Sequence, residues 1–184
     1  MSVAASGEFA LSVDYLAEMF ADSATWRAVV ESPLISWPDM LTLITAGTSS
    51  ESNARAKVMP WVWQESSDHP DYVQPPVIVV RSESLRSQRR GDTGFDLAGR
   101  LIATLFIPVP TAYIDTKGRY TRDGAMDAAN KIGRIAQEVR ELPRANGRLD
   151  ITAPEITDFC FIHPKDGISG CFSGEISVEW AGSS

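Results

Sequence analysis

Residues suited to catalysis are few in this sequence. Its two histidines, His69 and His163, are each followed by proline, and a histidine beside a turn is more often solvated than a base or a ligand. Asp92-Thr93-Gly94 matches the core of an aspartic-protease loop, which needs an apolar strand before it to keep the carboxylate dry. Arg89-Arg90-Gly91 stands there instead. With none of the common nucleotide-binding or zinc-protease motifs present, the sequence predicts no catalytic residue, no cofactor and no metal site.

Four arginines form the most distinctive charged feature. Arg81, Arg86, Arg89 and Arg90 lie close together in a chain of net charge −7. They fit either an ordinary solvated loop or an arm that docks on an acidic partner surface and becomes ordered there. The acidic balance argues against a general nucleic-acid binder, which needs a basic footprint. The four arginines are therefore the candidate partner-binding residues.

The tryptophans offer a second interpretation, a small ligand pocket. Trp61 and Trp63, with Trp26, Trp37 and Trp180, could line such a pocket. Core and interface packing uses the same large aromatic area, so packing is the simpler interpretation.

The elements that must position these residues begin with helices. Each helix is indicated by a polar residue that can cap its start and by apolar residues that follow at helical spacing. Helices are predicted from Ser12 onward, from Asp22 or Ser23 to Pro33, from Trp37 to Gly47, and across residues 51–56.

From Lys57 the period changes to that of strands. The alternation over residues 58–63 predicts a strand that is either broken or placed at an edge by Pro60. Residues 76–80 and 95–109 read as two strands of a long hairpin, joined by a polar connection from Arg81 to Gly94.

A long helix follows, capped by Thr121 and stopped at Leu142-Pro143. Its apolar stripe is predicted to contain Met126, Ala129, Ile132, Gly133, Ala136 and Val139. Its solvated face is predicted to contain Lys131, Arg134, Glu138 and Arg140.

A closing hairpin is predicted around a Pro164–Gly167 turn. That register pairs Phe159 with Phe172 and sets Cys160 opposite Cys171. It puts Phe159, Phe161, Phe172, Ile176, Val178 and Trp180 on one face. The two cysteines are read as a reduced pair or a cross-strand disulfide, and both readings stay open.

These elements predict an α+β fold: a mostly antiparallel sheet with a long helix packed across it, N-terminal short helices and a long β-hairpin. A chain of 184 residues fits a single domain, 1–184, with a helical part at 1–56 and the sheet, long helix and C-terminal hairpin at 57–184. No stretch approaches the ~20 apolar residues that span a bilayer, so no membrane partner is expected.

Three stretches together resemble the tail terminator and tail-completion (neck) proteins of long-tailed bacteriophages. They are Leu16-Ala17-Glu18-Met19-Phe20-Ala21-Asp22-Ser23-Ala24-Thr25-Trp26-Arg27, then Gln74-Pro75-Pro76-Val77-Ile78-Val79-Val80, and Phe172-Ser173-Gly174-Glu175-Ile176-Ser177-Val178-Glu179-Trp180. The order of strand, long hairpin, helix and C-terminal strands is also similar to that family.

The resemblance implies a virion protein without enzymatic activity. Its copies would form a ring, commonly a hexamer, on the head-proximal end of the tail tube. Partners would be further copies of the chain, the tail tube protein and a head-neck connector protein, with DNA passing through the lumen without specific binding. It would be located in the virion tail or neck after assembly in the host cytoplasm. The alternatives are a head-closure or connector protein, or a small ligand-binding protein or hydrolase.

Overall fold

The computed structural model describes residues 3–47, 51–60, 70, 72–90, 94–141, 149–151, 155–162 and 171–183. It confirms the α+β class. The helices are α1 (Val3–Asp22), α2 (Ala24–Glu31), α3 (Trp37–Ala46), α4 (Glu51–Ala56) and α5 (Arg122–Glu141), with a 3₁₀ turn at Thr111–Tyr113. The strands are β1 (Val58–Pro60), β2 (Val77–Arg90), β3 (Gly94–Pro108), β4 (Leu149–Ile151), β5 (Glu155–Ile162) and β6 (Cys171–Ser183).

The described strands form one mixed, mostly antiparallel sheet. Its order is β1-β2-β3-β6-β4, and β5 also pairs with β6. Only the pairing of β1 with β2 is parallel. The predicted edge position of the strand containing Pro60 is confirmed, which suits a residue that cannot donate to a neighbouring strand.

The long β-hairpin is confirmed, but the prediction of a polar connection from Arg81 to Gly94 is wrong. Strand β2 continues to Arg90 and is paired with β3 along its length, apart from one irregularity between Ser82 and Ser84. The backbone hydrogen bonds of the ladder do not depend on side-chain polarity, so a polar segment beside a long partner strand remains a strand.

One face of the sheet carries the main core, and α1 and α5 pack on it. The predicted alternation of β6 is confirmed, since Phe172, Ile176, Val178 and Trp180 are buried on one side. A Cβ atom on Gly174 would lie 2.6 Å from Cδ1 of Ile132 in α5. Glycine at this position therefore lets the helix lie close to the sheet.

The N-terminal helices agree with prediction except at the start of the chain. Helix α1 begins at Val3, so Ser12 lies inside it and is not its N-cap. The residues before Ser12 are rich in alanine, which extends a helix readily. The hydroxyl of Ser23 accepts from the backbone N–H of Trp26 and caps α2. Helix α3 ends at Ala46 and is followed by Gly47 as its C-cap, with φ +86°.

The predicted register of the closing hairpin is wrong by two residues. Phe161 pairs with Phe172, Cys160 with Ser173, and Ile162 with Cys171. A shift of two residues preserves the alternation of faces along a strand, so the hydrophobic pattern cannot detect it. Because Cys171 faces Ile162 and not Cys160, it is a free, buried thiol, and burial raises its pKa to about 12.

Several predicted features lie outside the described residues. They are the Pro164–Gly167 turn, both histidines, Trp61, Trp63, and Asp92 with Thr93.

Candidate interaction surfaces

The structure brings the four candidate arginines together along a single strand. Arg81 lies on β2, and its Nη2 atom is 3.2 Å from Oε1 of Glu175 on β6. Arg86 is exposed. Arg89 and Arg90 are the last residues of β2, where the backbone pairs with the start of β3. The arginines therefore belong to one end of a paired hairpin and not to a loop.

This end of β2 is basic, and in the described part of the chain it pairs only with β3. From Val77 to Arg90 the strand has four arginines and one glutamate. Strand β1 covers only Ile78–Val80, and no other strand in the described part of the chain pairs with the outer edge from Arg81 onward. The segment Arg81–Arg90 is called the basic edge below.

The helical part of the chain has the opposite charge. Residues 1–56 contain seven carboxylates and only two arginines. Both arginines are paired inside this part: Arg27 with Asp22 at 3.1 Å, and Arg55 with Glu18 at 2.6 Å. Their charges are therefore neutralised locally, and the surface of the helical part is acidic.

Helix α3 exposes apolar side chains on this acidic surface. Of its ten residues only Met40 is buried. Trp37 and Ile44 are half-buried and pack against the core. Leu41 is 43% exposed, and Leu34 in the preceding loop is 53% exposed. Leu34 and Leu41 are called the α3 surface.

A buried ion pair on α5 holds the start of α3. The prediction that Lys131 is solvated is wrong: its side chain is fully buried, with Nζ 2.6 Å from Oδ2 of Asp127 and 2.8 Å from the carbonyl oxygen of Ile35. Oδ1 of Asp127 accepts a hydrogen bond from the backbone N–H of Trp37, at 2.5 Å. Both charged groups thus fix the α2–α3 loop on α5. Burial lowers the pKa of Lys131, while Asp127 opposes that shift.

A second polar side chain of α5 holds the start of α2. Glu138 was also predicted to be solvated, but its side chain is only 14% exposed. It accepts hydrogen bonds from the hydroxyl of Ser23 (2.7 Å) and from the backbone N–H (2.9 Å) and hydroxyl (2.8 Å) of Thr25. Burial alone would raise the pKa of Glu138, but these bonds and Arg134 together hold it below its ordinary value. Arg134 and Arg140 are exposed as predicted.

Only part of the predicted apolar stripe of α5 is buried. Ile132, Ala136 and Val139 are buried, whereas Met126 is 51% exposed. Ala129 and Gly133 are half-buried. The buried face is turned toward Asp127 and Lys131, because the α2–α3 loop and the first residue of α3 supply backbone partners for these charges. The sequence did carry a signal for this buried pair. Asp127 and Lys131 have opposite charges at i, i+4 spacing and lie beside the apolar positions of the helix.

The tryptophans described on the sheet and on α2 belong to the core. Trp26 is fully buried and its Nε1–H donates to the carbonyl oxygen of Ala54. Trp180 is 2% exposed. Packing therefore accounts for both of them.

The described residues include no group of three or more histidine, cysteine, aspartate or glutamate side chains that could hold a metal ion. Among those residues, no helix is long and apolar enough to cross a membrane. Comparison of the chain with protein-family models and with curated proteins finds no match.

Proposed function

We propose that the protein is a structural virion subunit, a tail terminator or tail-completion protein of a long-tailed bacteriophage. Its copies form a ring, hexameric as is common in the family that the sequence resembles, on the head-proximal end of the tail tube. The ring contacts the tail tube protein on one side and a head-neck connector protein on the other. DNA passes through its lumen without specific binding.

The observation that carries the proposal is the separation of opposite charges within one chain. The basic edge is on the sheet, and the acidic surface is on the helical part. A ring closes through head-to-tail contacts, in which each copy offers two different surfaces that complement each other. A subunit with two oppositely charged regions fits this requirement, because charge complementarity orients partners as they meet.

The buried pair of Lys131 and Asp127 is better explained by structure than by catalysis. A charged pair inside a protein can mark an active site. Here the side chains are 0% and 2% exposed, so no substrate reaches them. Their polar atoms are committed to each other and to the backbone of Ile35 and Trp37. This supports a role in shaping the surface and a protein that acts by assembly.

The test of the proposal is electron microscopy of phage particles assembled without this protein. Overlong tails, or tails not joined to heads, are expected, and supplying the wild-type chain should restore normal particles. A variant at an exposed position outside both surfaces, Arg140→Ala, should restore them equally well. Normal particles in the absence of the protein would contradict the proposal.

A further inference from the structure

We propose that α3 and the loop before it form a strap, residues 33–47, that opens from α5 as a unit while the sheet and α2 stay folded. The buried pair of Asp127 and Lys131 controls how readily the strap opens. This motion belongs to the single chain, so it does not depend on the proposed function.

The strap is thinly packed compared with the helix before it. Helix α2 buries four of its eight residues, whereas α3 buries only Met40 of its ten. Trp37, Leu43 and Ile44 are half-buried against the core, and the other six residues of α3 are exposed. Segments with few buried apolar contacts open locally at a lower free energy than the core does.

Both ends of the strap are suited to a change of chain direction. Helix α2 ends at Glu31, and Pro33 directly follows its C-cap, Ser32. Proline cannot continue the hydrogen bonding of a helix, so α2 and α3 do not form one rigid rod. At the other end Gly47 has a φ of +86°, in a region that glycine enters and leaves easily. The segment between these points can therefore move without disturbing α2.

The contact between the strap and α5 is polar. Asp127 accepts from the backbone N–H of Trp37, and Lys131 donates to the carbonyl oxygen of Ile35. Because the two side chains are only 2% and 0% exposed, both charges have lost most of their hydration in the closed state. Opening returns water to both charges, and their i, i+4 pairing within α5 does not require the strap. The recovered hydration offsets part of the packing that α3 loses.

Helix α2 is attached to α5 in a different way and stays in place. Glu138 accepts three hydrogen bonds from Ser23 and Thr25 at the start of α2. Trp26 in the same helix is fully buried, and its Nε1–H donates to the carbonyl oxygen of Ala54. The polar contact of α2 is therefore backed by a large buried side chain, which the polar contact of the strap lacks.

Opening changes which groups a partner can reach. It removes Met40 from the core and exposes Asp127 and Lys131, which are covered in the closed state. A partner that binds only the open form shifts the population toward it. The strap is thus a conformational device whose closed form keeps an apolar side chain and two charges away from partners.

Native-state hydrogen exchange at increasing urea concentrations tests the motion. An isolated helix of ten residues is marginal in water, so α3 loses its hydrogen bonds once it leaves α5. The amides of residues 40–46 should share one opening free energy and exchange at least about tenfold faster than those of β3. Exchange only together with β3 would overturn the proposal. Exchange that slows steadily from Ala46 back to Met40 would also overturn it, since that pattern is fraying of a helix end.

A pair of variants tests the role of the buried charges. Lys131→Met leaves the carboxylate of Asp127 unpaired in the closed state, so exchange at residues 40–46 should become at least about tenfold faster than in wild type. Arg134→Met, on the exposed side of α5, should change it by less than about twofold. If Lys131→Met does not fold, Asp127→Asn keeps an oxygen for the N–H of Trp37, removes only the charge and should also accelerate exchange. Equal rates in the folded variant and in Arg134→Met would overturn control by the pair.

Chemical modification of Lys131 gives an independent measurement on wild-type protein. An amine-acylating reagent reaches the exposed Lys117 directly, but it reaches the buried Lys131 only while the strap is open. Mass spectrometry should show Lys131 modified more slowly than Lys117 and at a rate that follows exchange in α3. Modification of Lys131 that keeps pace with exchange in β3 would show that the pair is uncovered only by global unfolding, and the strap would not exist.

Discussion

Helices α3 and α5 distribute their side chains in opposite ways. Helix α5 buries a lysine and an aspartate at 0% and 2% exposure, while α3 leaves Leu41 43% exposed and buries one residue of ten. Burying a charge is costly unless it is paired and hydrogen-bonded. An exposed leucine gains less from burial than a leucine in the core. Together the two helices indicate that the polar groups of α5 hold α3 in place.

The largest effect is expected from removing one partner of the buried pair. Lys131→Met should lower the free energy of unfolding by about 3–5 kcal/mol, because it leaves the carboxylate of Asp127 buried without its counter-charge. Urea unfolding measures the change. If the loss were below about 1 kcal/mol, α5 would not hold α3 by this pair.

A double variant separates the cost of an unpaired charge from the loss of packing. Asp127→Leu combined with Lys131→Met should lose less than Lys131→Met alone, because no charge is then left buried. Arg134→Met on the exposed side of α5 is the control for the size of the substitution. A double variant less stable than the single one would contradict this account.

The sequence was sufficient to predict α5 but not its rotation about its axis. The cap at Thr121 and the apolar residues predicted its length, and Ile132, Ala136 and Val139 are buried as expected. Lys131 was misjudged because its partners are the backbone of Ile35 and a carboxylate held by Trp37. Ile35 and Trp37 come from a segment about ninety residues earlier in the chain, and local spacing carries no information about such contacts.

A smaller effect is expected from Glu138, and it depends on pH. Glu138→Gln should cost about 1–3 kcal/mol at neutral pH, since it weakens charged hydrogen bonds to Ser23 and Thr25. The folded-state pKa of Glu138 lies below its usual 4.5. The unfolded chain therefore takes up the proton first as pH falls, and the stabilisation present above that range is lost as pH drops through the folded value.

The measurement is the difference in unfolding free energy between wild type and Glu138→Gln across an acid titration. The difference should be full at neutral pH and shrink below about pH 4.5. Glu31→Gln, an exposed control, should change stability by less than about 0.5 kcal/mol at neutral pH. A difference that stays constant into acid would show that the charge of Glu138 does not stabilise α2.

The sequence predicted one of the two candidate surfaces in part and missed the other. The arginines are visible as a cluster, but their assignment to a loop is wrong because pairing with β3 makes them part of a strand. The α3 surface was missed. Trp37, Leu41 and Ile44 have the spacing of a core-facing line. Trp37 and Ile44 do pack against the core, but Leu41 is 43% exposed.

The smallest effect on folding is expected at Leu41. A substitution there tests most directly whether α3 and α5 differ in how they use their side chains. Leu41→Gln should change the free energy of unfolding by less than about 0.5 kcal/mol, since the side chain has little packing to lose. Its buried neighbour provides the matched control, because Met40→Ala should cost about 2–5 kcal/mol through a cavity in the core. Both are measured by urea unfolding, and ring formation is measured on the same samples. A variant that keeps its stability but loses association would separate what α3 does for the fold from what it does for a partner. If Leu41→Gln were as destabilising as Met40→Ala, Leu41 would belong to the core in the same way as Met40.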